Sequence, residues 1–304
     1  MQKVTCLNLP NCYRLSNGTV ELVFTTDVGP RVVRYGFAGG ENMLGECPEA
    51  LVKTELGEWK PWGGHRLWAA PEASPRSYAP DDYSVEFELE GARGVRLRAP
   101  VEAATGIQKE IHIALDEAGS GVRLLHRLTN RGLWEIEAAP WALTIMRGGG
   151  EAIIPQEPYG AHPEHLLPAR RVVLWRYTDL SDARFTLGRR YVRLRSDEGA
   201  AAPQKIGVEN KQGWAAYRLG PLLFVKRFAY VGGAAYPDDG CNNEVFTAGS
   251  FIEVESLAPL TRLQPGASVE HEERWHLFDG FDAGADEESL DAAIKPLLEG
   301  INVK

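Results

Sequence analysis

The segment Trp62-Gly63-Gly64-His65-Arg66-Leu67-Trp68-Ala69-Ala70-Pro71-Glu72 gathers two indoles, an imidazole, a guanidinium and a carboxylate around a glycine pair and a proline. Aromatic faces beside a fork-shaped hydrogen-bond donor suit a flat, hydroxyl-rich ligand such as a sugar, whose C–H groups rest on an indole while arginine donates in two directions. The same residues also make a plain packing corner, with Arg66 stacked on Trp68 and nothing bound.

A second cluster follows late in the chain. In a strand, Phe251, Glu253 and Glu255 share one face, while Ile252, Val254 and Ser256 share the other, which reads as core. Two carboxylates at that spacing push one pKa upward, which suits acid–base work, although a Glu-x-Glu pair also decorates many solvated sheet faces. Lys226 shares a face with Phe224 and Phe228, where it either meets a ligand or lies along aromatic surface. Tyr159, His162 and His165 sit in a Gly/Pro loop, and the His-x-x-His spacing lacks a defined third metal ligand. Asp238, Asp239, Asn243 and Glu244 offer oxygens to a hard cation, without the spacing of an EF-hand loop. No P-loop, dinucleotide fingerprint, nucleophile elbow or His-Glu-x-x-His is present, so no cofactor and no resident metal are expected.

The elements that must carry these residues are short runs of period-two alternation separated by Gly, Pro, Asn and Asp. Asn17-Gly18 between Cys12–Leu15 and Thr19–Thr25 marks a hairpin. The alternation predicts strands over Arg31–Phe37, Tyr83–Leu89, Val95–Arg98, Gln108–Leu115, Val122–Asn130 and Arg171–Tyr177, and a long apolar run ending at Gly148-Gly149-Gly150 predicts one over Ile136–Met146. Further strands are predicted over Arg189–Arg195, Lys205–Val208, Gly213–Leu219, Leu222–Tyr230, Phe251–Ser256 and Ser268–Leu277. The expected fold is all-β: one large antiparallel sandwich over residues 1–304, not a βαβ protein. One short C-terminal helix is expected over Asp286–Leu298, kinked or ended by Pro296, and a turn of helix over Pro163–Arg170. Trp62–Glu72 reads as a loop.

At 304 residues the chain buries a sizeable core. A net charge of −9 without a basic block argues against nucleic acid and anionic membrane as partners. No apolar run reaches the length of a signal peptide or a membrane span. Cys6, Cys12, Cys47 and Cys241 show no zinc or redox spacing, although Cys6 and Cys12 lie within hairpin reach of each other. These features predict a cytoplasmic protein with free thiols.

Together the segments resemble the galactose mutarotase-like superfamily, the aldose 1-epimerase-type β-supersandwich, and within it the DUF4380 subgroup. Gly63-Gly64-His65-Arg66-Leu67-Trp68 with Pro71-Glu72 is similar to that subgroup's early signature. Phe251–Leu260, Gln264-Pro265-Gly266 and Glu273-Arg274-Trp275 are similar to closing strands shared more widely. The resemblance implies a glutamate that takes the anomeric proton, a histidine that protonates the ring oxygen, and an early Asn-Arg pair that holds hydroxyls. Arg66 matches the arginine, His65 stands where the asparagine would, and Glu255 best matches the late glutamate, with Glu253 as the other candidate. The corresponding middle strand, Pro140–Met146, has no histidine.

The expected site therefore has Glu255 as base and His65 as acid, with His162 or Tyr159 as substitutes for the acid. Arg66, Trp68, Glu72, Lys226, Asn243, Glu253, Tyr159 and His162 would hold the ligand. The resemblance implies a small-molecule sugar or oligosaccharide as the partner. Three functions stay open: a mutarotase-type enzyme, a carbohydrate-binding or sensing protein without chemistry, and a lyase or hydrolase acting on an acidic sugar through Arg66, Lys226 and Tyr159.

Overall fold

A computed structural model describes residues 1–301. Two large antiparallel sheets stack face to face. The first has eleven strands, in the order Gln2–Cys6, Leu9–Ser16, Val20–Thr25, Arg31–Phe37, His65–Ala70, Ile136–Met146, Phe251–Leu257, Asn243–Ala248, Gln204–Val208 and Val172–Leu174, with Thr261–Leu263 paired to Ile136–Met146 beside that path. The second has ten: Glu86–Leu89, Gly94–Val101, Ile107–Leu115, Val122–Asn130, Ser268–Phe278, Leu222–Phe228, Trp214–Leu219, Glu151–Pro155, Tyr191–Arg195 and Phe185–Leu187. This is the expected all-β sandwich: Val122–Asn130 begins and ends where its alternation places it, and Ile136–Met146 where its apolar run does.

The main core lies between the sheets. Leu67, Met146, Ile252 and Val254 of the first face Leu124, Leu128, Phe224 and Trp275 of the second. The outer face of the second sheet is covered by the helix Glu287–Gly300, whose Leu290 and Ile294 pack on Ile153, Trp214, Leu223 and Val225. Asp286 caps that helix by accepting from the Ser289 backbone N–H at 2.8 Å. Pro296 does not end it, because the carbonyl left without an N–H partner lies on the exposed side of the helix, where water reaches it. No turn of helix forms over Pro163–Arg170. All four cysteines are free, and the Cys12 thiol turns to the Cys6 carbonyl rather than to its sulfur. Among the described residues no helix is long and apolar enough to cross a membrane.

The early segment departs from expectation. His65–Ala70 is not a loop but a central strand of the first sheet, paired on one side with Arg31–Phe37 and on the other with Ile136–Met146. The glycine pair delivers it there. Gly63 and Gly64 have φ of 102° and 68°, and a Cβ on Gly64 would lie 2.1 Å from the Val32 carbonyl oxygen, so only glycine lets the chain turn this close to its neighbour.

Candidate functional site

Because successive residues of a strand face opposite ways, the outer face of the first sheet is assembled rung by rung. One rung sets Arg66, Leu143, Glu255 and Glu244 side by side across four strands. The next holds Ile145, Glu253, Phe246 and Lys205, and on the other side Trp68 and Trp141 stand opposite each other. Loops raise walls over this floor: Trp59, Glu72 and Tyr78 on one side, Trp175 and Tyr177 on the other. The result is a cleft of about 520 Å³.

Arg66 lies on the floor between indoles, its guanidinium carbon 4.5 Å from the Trp68 ring centre and 5.3 Å from that of Trp59. Its Nη1 donates to Glu253 Oε1 at 3.0 Å. Nε is buried without a partner and sealed from the cleft. Nη2 of Arg66 and Oε2 of Glu253 make no hydrogen bond and stay open. Lys205 repeats the arrangement across the floor. Its ammonium sits 4.8 Å from the Trp141 ring centre and 4.7 Å from that of Trp175, and it pairs with Glu244 at 2.7 Å and Glu255 at 3.2 Å. Burial works to neutralise Lys205, but Glu244 and Glu255 outweigh it and raise its pKa well above the usual lysine value. Glu255 is fully buried beneath the cleft. Its Oε2 accepts from the Trp141 indole at 2.8 Å, whereas Oε1 has no partner. Burial, opposed by Lys205 and reinforced by Glu244 and Glu253, raises its carboxyl well above the usual range. Asp238 is pushed up to about 7 by burial and by Glu244.

His65 and Lys226, expected in the cleft, lie on the opposite side of the sheet. Alternation points His65 away from its neighbour Arg66, into the core between the sheets, and both His65 and Lys226 are fully buried there. They join a polar network. Lys226 Nζ donates to Thr144 Oγ1, the Val254 carbonyl and Glu273 Oε1, at 2.8, 2.9 and 2.8 Å. His65 Nδ1 meets Thr144 Oγ1 at 2.9 Å, and its Nε2 meets His126 Nε2 at 2.7 Å. His126 Nδ1 lies 2.9 Å from the His271 carbonyl, so it carries the hydrogen. With neutral rings, the protons then run one way, from Lys226 through Thr144 and His65 to His126. Ser256 joins His271 to Glu273, each contact at 2.6 Å, and the Trp275 indole donates to Glu273 at 2.8 Å. Burial lowers the pKa of all three histidines, His271 to about 3. Burial alone would raise Glu273, but Lys226 and the three rings hold it well below the usual carboxylate range. His65, His126 and Glu273 have metal-ligating atoms within 4.8 Å of one another. The Lys226 ammonium already serves Glu273, and the two facing imidazole nitrogens already bond each other.

Of the other expected residues, Trp68, Glu72 and Glu253 line the cleft with Arg66. Asn243 is buried below it, donating to the Glu255 carbonyl at 2.7 Å. Tyr159 is 61% exposed and, with His165, borders a different hollow that shares no lining residue with the cleft. His162 is exposed on the same loop. Neither supplies the cleft with an acid, and among the described residues no histidine lines it. The oxygens considered for a hard cation do not converge on one: Glu244 holds Lys205, and Asn243 accepts from Asn210.

Lys205, Trp59, Tyr78, Trp141, Trp175 and Tyr177 were not singled out from sequence. For Lys205 a signal exists, since Ile206 and Val208 mark the core face of its strand and leave Lys205 on the other. Trp141 offers none, because both faces of Ile136–Met146 are apolar.

No protein-family model matches the sequence, and no curated protein does. Solved structures do match. The Slr1438 protein from Synechocystis sp. PCC 6803 aligns over 92% of this chain and 100% of its own at 12% identity, with a TM-score of 0.56. A galactose mutarotase-like protein from Lactobacillus casei ATCC 334 aligns over 88% and 100% at 12% identity, TM-score 0.54. A galactose mutarotase related enzyme from Lactobacillus acidophilus aligns over 89% and 98% at 9% identity, TM-score 0.55. At these identities the likeness is one of fold: this chain shares the β-sandwich fold of these galactose mutarotase-like structures.

Proposed function

We propose that the chain binds a carbohydrate in the Arg66–Glu253 cleft, and that it does so without opening the sugar ring. The observation that carries this reading is the half-used ion pair on an aromatic floor. Arg66 offers donors and Glu253 an acceptor at one spot, as vicinal hydroxyls require, while Tyr78, Trp175 and Tyr177 leave ring surface open for sugar C–H groups. The solved structures of like fold support a sugar as the ligand class, since two carry mutarotase names.

Ring opening needs an acid for the ring oxygen as well as a base. A positioned general acid is typically worth ~10²–10⁴-fold in rate. His65 cannot reach the cleft, and Lys205, with its raised pKa, gives up a proton poorly at neutral pH. A lyase or hydrolase for acidic sugars loses Lys226 and Tyr159 from the cleft, and the remaining cations already face Glu253, Glu244 and Glu255. One observation favours catalysis: the raised carboxyl of Glu255, with a free oxygen just under the floor.

Calorimetric titration with D-glucose, D-galactose, D-mannose and L-arabinose, paired with polarimetry of the same freshly dissolved sugars, separates these readings. The binding reading predicts saturable heat for at least one sugar, lost in Arg66→Ala, and an unaltered rate of mutarotation. Accelerated mutarotation that disappears in Glu255→Gln would replace it with the epimerase reading.

A further inference from the structure

The cleft is chemically lopsided along the strands. Glu253 stands between Ile145 and Phe246 on neighbouring strands, and Phe251 lies two residues before it, roughly 7 Å along the strand and away from Glu255. Phe246 and Phe251 pack with ring centres 5.9 Å apart, Cys47 lies near Phe251, and Leu51 also lines the cleft. These side chains are not sealed: Phe246, Phe251 and Cys47 are half-buried and Leu51 is exposed. Within the cleft the charges turn away from these rings, Glu253 toward Arg66, whereas outside it Phe251 and Cys47 also border a hollow lined by Arg34, Glu41, Glu46, Arg147 and Glu198. Lys205 starts opposite Phe246 but reaches toward Glu244 and Glu255, and Glu72 is on the far wall beside Tyr78. A hydroxyl pressed against the Phe246–Phe251 end would lose water without gaining a partner.

We propose that the cleft takes a glycoside with an apolar aglycone, an alkyl or aryl group, whose sugar ring sits at Arg66 and Glu253 and whose aglycone covers Phe246 and Phe251. This rests on the carbohydrate reading above and narrows its ligand class. Each methylene buried on such a surface tightens binding by about fourfold, from about 0.8 kcal/mol per methylene. Covering two of them already exceeds tenfold.

The test compares methyl and n-hexyl β-glycosides of glucose, galactose and mannose by calorimetry, below micelle-forming concentrations, with n-hexanol as control. In at least one sugar series the hexyl glycoside should bind at least tenfold more tightly than the methyl one, with hexanol far weaker than either hexyl glycoside that binds. Phe251→Ser should shrink the hexyl-to-methyl ratio. If both glycosides bind with a ratio below about twofold, the aglycone site is wrong and the carbohydrate reading stands. If no glycoside binds, or hexanol binds as well as the hexyl glycosides, both fall.

Discussion

Arg66 and Glu253 are 187 residues apart in the chain and 3.0 Å apart in the fold, where they form the polar centre of an otherwise aromatic cleft. Neither lies opposite the other on a rung. The guanidinium crosses diagonally beside Leu143 because Trp68 and Trp59 hold it, and Glu253 is the carboxylate within reach. Both side chains are largely shielded, with 5% and 11% of their surface exposed.

Replacing Arg66 by alanine leaves Glu253 without its partner and the two indoles without their filler. Breaking a well-buried pair costs about 3–5 kcal/mol. This pair borders the cleft, so a loss of about 2 kcal/mol is expected in urea unfolding. Arg66→Lys should recover less than half of it, because an ammonium neither stacks between indoles nor keeps the fork.

The fold and both members of this pair were legible in the sequence, but not their contact with each other. Alternation in Phe251–Ser256 put Glu253 and Glu255 on the face opposite Ile252 and Val254, and the structure agrees. Which face of a neighbouring strand carried the site was not legible for His65 and Lys226. Lys226 between Phe224 and Phe228 has the same pattern whether that face meets a ligand or another sheet, and here it meets the first sheet, at Thr144 and Val254. A lysine enters that core only because Glu273, Thr144 and a backbone carbonyl receive all three of its protons, and those partners come from strands far away in sequence.

Lys226→Met removes the cation that Glu273 faces. The stranded carboxylate should cost about 3–5 kcal/mol, measured by denaturant unfolding. Adding Glu273→Gln should restore part of that loss, since the amide oxygen still accepts from Ser256 or Trp275 and no charge is left buried. A double variant as unstable as the sum of the singles would show that the two side chains do not act as a pair.

The His271 ring is neutral in the folded protein, with its pKa lowered by burial to about 3, whereas in the unfolded chain it takes a proton near the usual histidine value. Below about pH 6.5 the unfolded state therefore binds the extra proton, and stability falls with acid. Compared with His271→Gln, the wild-type protein should lose about 1.4 kcal/mol for each pH unit between about 6.5 and 3, and the difference should be constant above that range. Chemical denaturation of both proteins across that range reads it. A difference independent of pH would mean that the ring is not held neutral.

Glu287, in the first turn of the C-terminal helix, accepts backbone N–H groups of Arg189, Arg190 and Tyr191 at 2.9, 3.0 and 3.0 Å. Glu287→Ala leaves those donors unpaired where helix and sheet join, so it should destabilise the protein by about 1–3 kcal/mol. Hydrogen exchange should speed up first in Tyr191–Arg195 and the helix, with the cleft strands unchanged. Uniform acceleration would contradict a local role.

The central claim is that sugar contacts this one cleft, and saturation-transfer NMR tests it most directly. Irradiating the protein in the presence of the tightest-binding sugar from the calorimetric panel should transfer signal to the sugar's C–H protons. The transfer should vanish in Arg66→Ala and persist in Tyr159→Ala, which lies outside the cleft. No transfer from any sugar in the panel, or transfer equal in wild type and Arg66→Ala, would contradict it.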